Sequence, residues 1–152
     1  MREIKFRVWS KFYNDWVESF CIKDGQVHLG NSVHYPGNQV GDAIIMQYTG
    51  LKDKNSRELY ELDITKDKFG NIDVICWINT EGAYATVPLN LYLEGDYEYT
   101  VVDECGIDCF FVNNVPEEYL EIIGNVYENP ELLKRKQHSY SDSCNENEII
   151  LS

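Results

Sequence analysis

The chain has 152 residues, enough for one domain or one domain with a small appendage. Apolar residues make up 43% and aromatic residues 13%, a load that disordered chains lack, so the body is expected to fold. The whole formal net charge of -13 falls in residues 69–133, which hold thirteen acidic and no basic side chains, and this argues against direct contact with nucleic acid there.

The same charge argues against binding to an anionic membrane. No segment approaches the ~18 consecutive apolar residues of a membrane span. The opening Met1-Arg2-Glu3-Ile4-Lys5-Phe6 lacks an apolar h-region, so no signal peptide is expected. Five cysteines, at 21, 76, 105, 109 and 144, form an odd and scattered set. That pattern fits reduced thiols in a cytoplasm better than a disulfide framework.

In chain order, Ile4, Phe6 and Val8 alternate with Lys5, Arg7 and Trp9, which predicts a strand with one buried face. Asn14-Asp15 is a turn signal. Trp16 to Ile22 reads as a second strand, and Lys23-Asp24-Gly25-Gln26 as a hairpin turn leading to Val27-His28-Leu29. Residues 30–42 read as a mobile loop. Ala43 to Tyr48 is an apolar strand, Lys52 to Ser56 a polar turn, and Glu58 to Ile64 the next strand.

After the turn at Phe69-Gly70-Asn71, Asp73 to Asn79 has the β-branched and aromatic content of a buried strand. Tyr84 to Leu93 predicts a broken strand, with Pro88 at an edge or a bulge. Tyr97 to Val102 follows as another strand. Asp103 to Asp108 reads as a loop, and Phe110-Phe111-Val112 as a short strand. Pro116 to Leu120 suits one helical turn, with Pro at N1 and acids beside it. Glu121 to Tyr127 is a final strand. Asn129 and Pro130 open a short C-terminal helix, closed by Lys134-Arg135-Lys136. Residues 137–147 are nearly all polar and are expected to be disordered. Short strands with frequent turns predict a mainly β chain, as a barrel or a sandwich. The expected organisation is an N-terminal β element and loop over residues 1–44, a barrel with a C-terminal helix over 45–136, and a polar tail over 137–152.

Two stretches carry a recognisable pattern. One runs from Tyr48, Thr49, Gly50 and Leu51 through Lys52, Asp53 and Tyr60 to Asp63 and Ile64. The other contains Gly124, Asn125, Tyr127, Asn129 and Pro130. With the opening Arg2 to Trp9, they resemble the YopX family of phage and prophage proteins. The resemblance implies a mainly β fold with an SH3-like barrel in the second part, and an origin in a phage or an integrated prophage. It implies no catalytic residue that maps onto this chain. The family usually has Gly where this chain has Ser56 and Leu62, and Gly at the first would ease a left-handed turn residue. The motif residues have a sufficient structural reading as turn and corner residues, with Asp63 accepting backbone hydrogen bonds. The competing reading is a contact surface of Tyr48, Lys52, Asp53 and Tyr60.

Other chemistry has weaker support. Cys105 and Cys109 are spaced four apart, and a zinc site would need His138, Cys144 or Cys76 to complete it. Asp103, Glu104 and Asp108 lack the spacing of a calcium loop. His28 and His34 have no positioned partner, and no nucleophile elbow or phosphate loop is present in the sequence. Glu94, Asp96 and Glu98 alternate on one predicted strand face, where paired carboxylates would also be conceivable in a glycosidase. No enzyme activity, metal or cofactor is expected.

The acidic half offers the sharper hypothesis. Tyr84, Tyr92, Tyr97 and Tyr99 lie among Asp96, Glu98, Asp103 and Glu104. Tyr is enriched among interface anchors, and a basic bacterial or phage protein is the electrostatic complement. The leading expectation is a non-enzymatic binding module. The alternatives are a DNA mimic that blocks a DNA-binding protein, and a metalloprotein or enzyme built on Cys105 and Cys109. Homo-oligomerisation through an exposed barrel edge stays open.

Overall fold

A computed structural model describes residues 2–105, 109–111 and 115–134, with residues 104 and 105 described for their backbone alone. The expected polar tail, with His138 and Cys144, lies outside the described residues, as do Arg135, Lys136, Asp108, Val112 and the side chains of Glu104 and Cys105. The fold is mainly β, with a curled half-barrel sheet and a few short helices. The chain divides into two compact units after Gly50.

The first unit holds β1 (Phe6–Ser10), β2 (Asp15–Trp16), β3 (Phe20–Lys23), β4 (Gln26–Leu29) and most of β5 (Ala43–Lys52). β1 pairs antiparallel with β2 on one side and β5 on the other. The expected single buried face of β1 needs correction. Ile4 and Phe6 are exposed, whereas Val8, Trp9 and Ser10 are all buried. β2 reaches only Trp9 and Ser10, so only that end of β1 is paired on both sides. Trp9 packs edge-on against Trp16 at 5.1 Å between ring centroids, and the Arg7 guanidinium lies 4.8 Å over Trp16.

The β3–β4 hairpin turns through Asp24 and Gly25, both at positive φ, as a two-residue hairpin turn of the right twist requires. The loop over residues 30–42 does not hang free. It folds back on β4, with Leu29 and Val40 donating to the carbonyls of Asn38 and Val27. The His28 ring contacts the Gly37 carbonyl at 3.2 Å. A methyl group at Gly37 would meet the Leu29 carbonyl oxygen at 2.7 Å, so this close approach requires glycine.

The second unit is built on an antiparallel sheet of order β10-β7-β8-β9, formed by β7 (Asp63–Lys66), β8 (Ile72–Ile78), β9 (Ala83–Pro88) and β10 (Glu121–Asn125). β6 (Glu58–Tyr60) precedes it and forms a hairpin with the end of β5. β8 shows why the sheet forms. Val74, Cys76 and Ile78 point into one core with Ile64, Val87, Leu89 and Val101. Ile75 points the other way, toward Leu59, Tyr84 and Ile122. Both faces of this strand are thus covered, and its sequence reads as a near-continuous apolar run.

Two expected strands are helices. Tyr84 to Leu93 splits at Pro88 into β9 and α1 (Leu89–Glu94). Proline has no N–H to extend the ladder, and Leu89 and Leu91 bury instead against the sheet. Gly95, at φ 93°, closes the helix by donating to the Tyr92 carbonyl. Tyr97 to Val102 is likewise helical, in α2 (Tyr97–Cys105), and α2 also takes in residues 103–105 of the expected loop. Its Tyr, Thr and Val content favours strand, but Tyr97 and Val101 stand four apart and bury together on one helical side. Phe110 makes a single bridge to Ala85 rather than a strand. α3 (Pro116–Tyr119) is the expected helical turn with Pro at its start, and residues 130–134 are helical after Asn129.

Candidate functional site

The shared motif residues converge on one structural device. Asp53 is buried, and its two carboxylate oxygens accept three backbone N–H groups. Oδ1 takes Asn55 at 3.0 Å and Arg57 at 2.9 Å, and Oδ2 takes Ile122 at 2.9 Å. The Arg57 guanidinium donates to the Ile122 carbonyl at 3.1 Å, and the Lys54 N–H to the Leu120 carbonyl. This turn therefore clips the start of β10. Asp63, also buried, accepts the Tyr60 N–H at 2.8 Å and fixes the corner between β6 and β7.

The second motif block repeats this logic. Asn125 Oδ1 accepts the N–H groups of Tyr127 and Glu128, and its Nδ2 donates to Glu128. Its own N–H donates to Asn129 Oδ1 at 3.1 Å. Gly124 lies under that Asn129 amide, beside the register shift in the β7–β10 pairing. Ser56 and Leu62 stand at φ 62° and 66°. Gly50, at φ 87°, is likewise left-handed. Tyr48 and Thr49 are buried, Leu51, Tyr60 and Tyr127 half-buried, and Pro130 exposed. Of the residues of the competing contact-surface reading, Tyr48 and Asp53 are buried, Tyr60 is half-buried and Lys52 is exposed.

The acidic, Tyr-rich stretch is divided by its helices. Tyr84 is buried edge-on against Trp77 at 4.9 Å, and its hydroxyl donates to Glu61. Tyr92 and Tyr97 are half-buried with ring centroids 5.9 Å apart. The Tyr97 hydroxyl is hydrogen-bonded to the Cys76 thiol. Burial pushes the Cys76 thiol up to about 12, far outside the range of a reactive nucleophile. Burial, with Cys76 and Tyr127 nearby, pushes the Tyr92 phenol to about 12 as well. Tyr84 and Cys76 are interior groups, and Tyr92 and Tyr97 expose only part of their rings.

Glu94, Asp96 and Glu98 do not share a strand face. Glu94 ends α1, Asp96 links the helices, and Glu98 turns inward to accept the Asn79 N–H at 3.0 Å. Among the described residues of this stretch, Tyr99, 76% exposed, stands on the surface with Asp96 and Asp103. Spacings of three and four residues place these three on one side of α2 and its approach. Leu93, at the end of α1, is also exposed. Cys109 is buried in the core, and no cluster of potential metal ligands occurs among the described residues.

One concave feature has no counterpart in the sequence reading. A groove of about 430 Å³ lies between the β7–β8 turn and α3, lined by Asp67, Lys68, Phe69, Val115, Glu118 and Tyr119. Its walls come from segments almost fifty residues apart, and only the turn signal at Phe69-Gly70-Asn71 is visible in the sequence.

Fold and motif together define a mainly β protein of two units, in which buried Asp and Asn side chains fasten turns to neighbouring strands. The chain belongs to the YopX family, whose model, described as YopX protein, matches residues 5–134. A crystal structure of protein EF1440 from Enterococcus faecalis is similar in fold, with a TM-score of 0.51 and 22% sequence identity over 88% of this chain and 99% of that one. No curated protein matches the sequence.

Proposed function

We propose that this chain is a phage- or prophage-encoded accessory protein of the bacterial cytoplasm that binds a basic protein without catalysing a reaction. The phage origin follows from the family resemblance. The observation that carries the binding reading is the exposed α2 surface, where Tyr99 stands between Asp96 and Asp103 in a stretch of sequence without Lys or Arg. An exposed Tyr supplies apolar contact area at low entropic cost, and flanking carboxylates steer and orient a cationic partner. The non-enzymatic reading draws on the motif chemistry, since the carboxylates of Asp53 and Asp63 are spent on backbone N–H groups.

The test is affinity capture from nuclease-treated bacterial lysate, comparing wild type with the Tyr99→Ala/Asp96→Asn/Asp103→Asn variant. The expected result is a basic protein retained by wild type, lost by the variant, and released by moderate salt. Capture that is identical for both proteins refutes the assignment of this surface. A captured DNA-binding protein, displaced by duplex DNA in competition, would instead favour the DNA-mimic reading.

A further inference from the structure

The groove beside α3 is a built feature. Asp67 Oδ1 accepts the N–H groups of Phe69 and Asn71, each at 2.9 Å, and its Oδ2 accepts the Asn71 side-chain amide at 2.9 Å. Gly70, at φ 87°, completes the turn by donating to the Asp67 carbonyl. A turn fixed this way holds Phe69 outward, 79% exposed, although no core contact requires an aromatic side chain there. Opposite it, Pro116 starts α3 and sets Val115, Glu118 and Tyr119 along the other wall.

The chemistry of the lining is mixed in a specific way. Phe69 and Tyr119 supply aromatic surface, and Asp67 and Glu118 supply carboxylates. Burial, followed by the Asp73 and Asp67 carboxylates, pushes the Tyr119 phenol up. The aromatic surface already holds one cation, since the Lys68 ammonium lies 5.2 Å over the Phe69 ring. The volume falls within the ~300–1,000 Å³ typical of small-ligand pockets.

We propose that this groove is a binding site for an arginine side chain presented by a partner protein. A planar guanidinium can stack on Phe69 or Tyr119 while donating to the Glu118 carboxylate, which suits this lining better than a point-charge ammonium does. Lys68 is the one basic group among the described lining residues and opposes the ligand's charge. Its removal should therefore strengthen binding, whereas loss of Phe69 or Glu118 should weaken it. The site uses none of the α2 residues, so it stands or falls separately from the α2 surface.

The test is an amide-resolved NMR titration of the full chain with N-acetyl-arginine methylamide, using the uncharged isostere N-acetyl-citrulline methylamide as control. Saturable shifts are expected at Phe69, Glu118 and Tyr119 with the arginine probe, and none with citrulline. Phe69→Ala and Glu118→Gln should each weaken binding about two- to fivefold. Lys68→Gln should tighten it by a similar factor. Phe69 is an exposed residue, so its variant should fold, which the unchanged remainder of the spectrum would verify. Equal shifts with both probes, no saturable shifts, shifts centred elsewhere, or no change in the three variants would each overturn the assignment.

Discussion

The Oδ2 atom of Asp53 accepts the backbone N–H of Ile122 at 2.9 Å, across 69 residues of sequence. The other oxygen of the same carboxylate holds the Asp53 turn together, so one buried side chain joins a local turn to a distant strand. Asp53→Ala would leave three N–H groups without this acceptor. It is expected to cost about 3 kcal/mol, because an unsatisfied buried donor costs ~1–3 kcal/mol and the Arg57 pair stays in place. Asp53→Asn keeps one carbonyl oxygen and should lose about half as much. Urea denaturation of the three proteins checks the order. An alanine variant as stable as wild type would exclude the clip.

Ser56 and Leu62 both stand in the left-handed region, where a side chain costs ~1–2 kcal/mol. Ser56 is exposed, so its side chain gains little from burial to offset this. Ser56→Gly is therefore expected to stabilise the protein by about 0.5–1 kcal/mol, the strain relieved less the extra chain entropy that Gly loses on folding. Leu62 packs against the main core of the second unit, so Leu62→Gly relieves strain and loses packing together. Its net effect should lie within about 0.5 kcal/mol of zero, since half-burial of a Leu is worth about as much as the strain. Thermal melts of the two single variants separate the cases, and a loss of stability in Ser56→Gly would contradict the reasoning.

A methyl group at Gly124 would meet Asn129 Oδ1 at 2.5 Å and Cγ at 2.6 Å. Gly124→Ala must therefore push the Asn129 amide aside and break its bond to the Asn125 N–H. A cost of about 1–3 kcal/mol is expected, typical of overpacking at a close contact. The partner variant Asn129→Ala makes room, so the double variant should lose less than the sum of the two single ones. Strict additivity in a double-mutant cycle would show that the contact is not the cause.

Burial alone would raise the Asp67 carboxyl, but hydrogen bonds from the Asn71 side chain and from the N–H groups of Asn71, Phe69 and Gly70 outweigh it and hold it below 3.8. A lowered carboxyl binds its proton less readily in the folded state than in the unfolded one. Its contribution is thus complete above the ordinary value near 3.8 and is lost as pH falls through the lower folded value. The turn that presents Phe69 should open in that acid range. Amide exchange at Phe69 and Asn71, followed from about pH 5 to about pH 2, should rise there in wild type, whereas Asp67→Asn should show no such step.

Several features were legible from residue order alone. The hairpin at Asp24-Gly25, the strand from Ile72 to Ile78 and the helical turn at Pro116 depend on local backbone preferences and on short-period burial. The motif's turn character was legible for the same reason, and the motif's residues carried the resemblance to the family whose model matches the chain. The region after Pro88 was not. Leu89 to Leu93 and Tyr97 to Val102 read as strands from their apolar and aromatic content, and only the core they cover makes a helix the better way to bury Leu89, Leu91 and Val101.

The candidate surfaces divide in the same way. The acidic stretch, with its absence of Lys and Arg, is a property of the sequence and needs no coordinates. Which of its tyrosines can meet a partner was decided by the tertiary structure. Helical geometry separates Tyr97 from Tyr99, turning one ring toward Cys76 and the other to solvent, where a strand would have put both on one face. The groove of Phe69, Glu118 and Tyr119 also belongs to the tertiary level, since a cavity wall made from two distant segments leaves no periodic trace in either one.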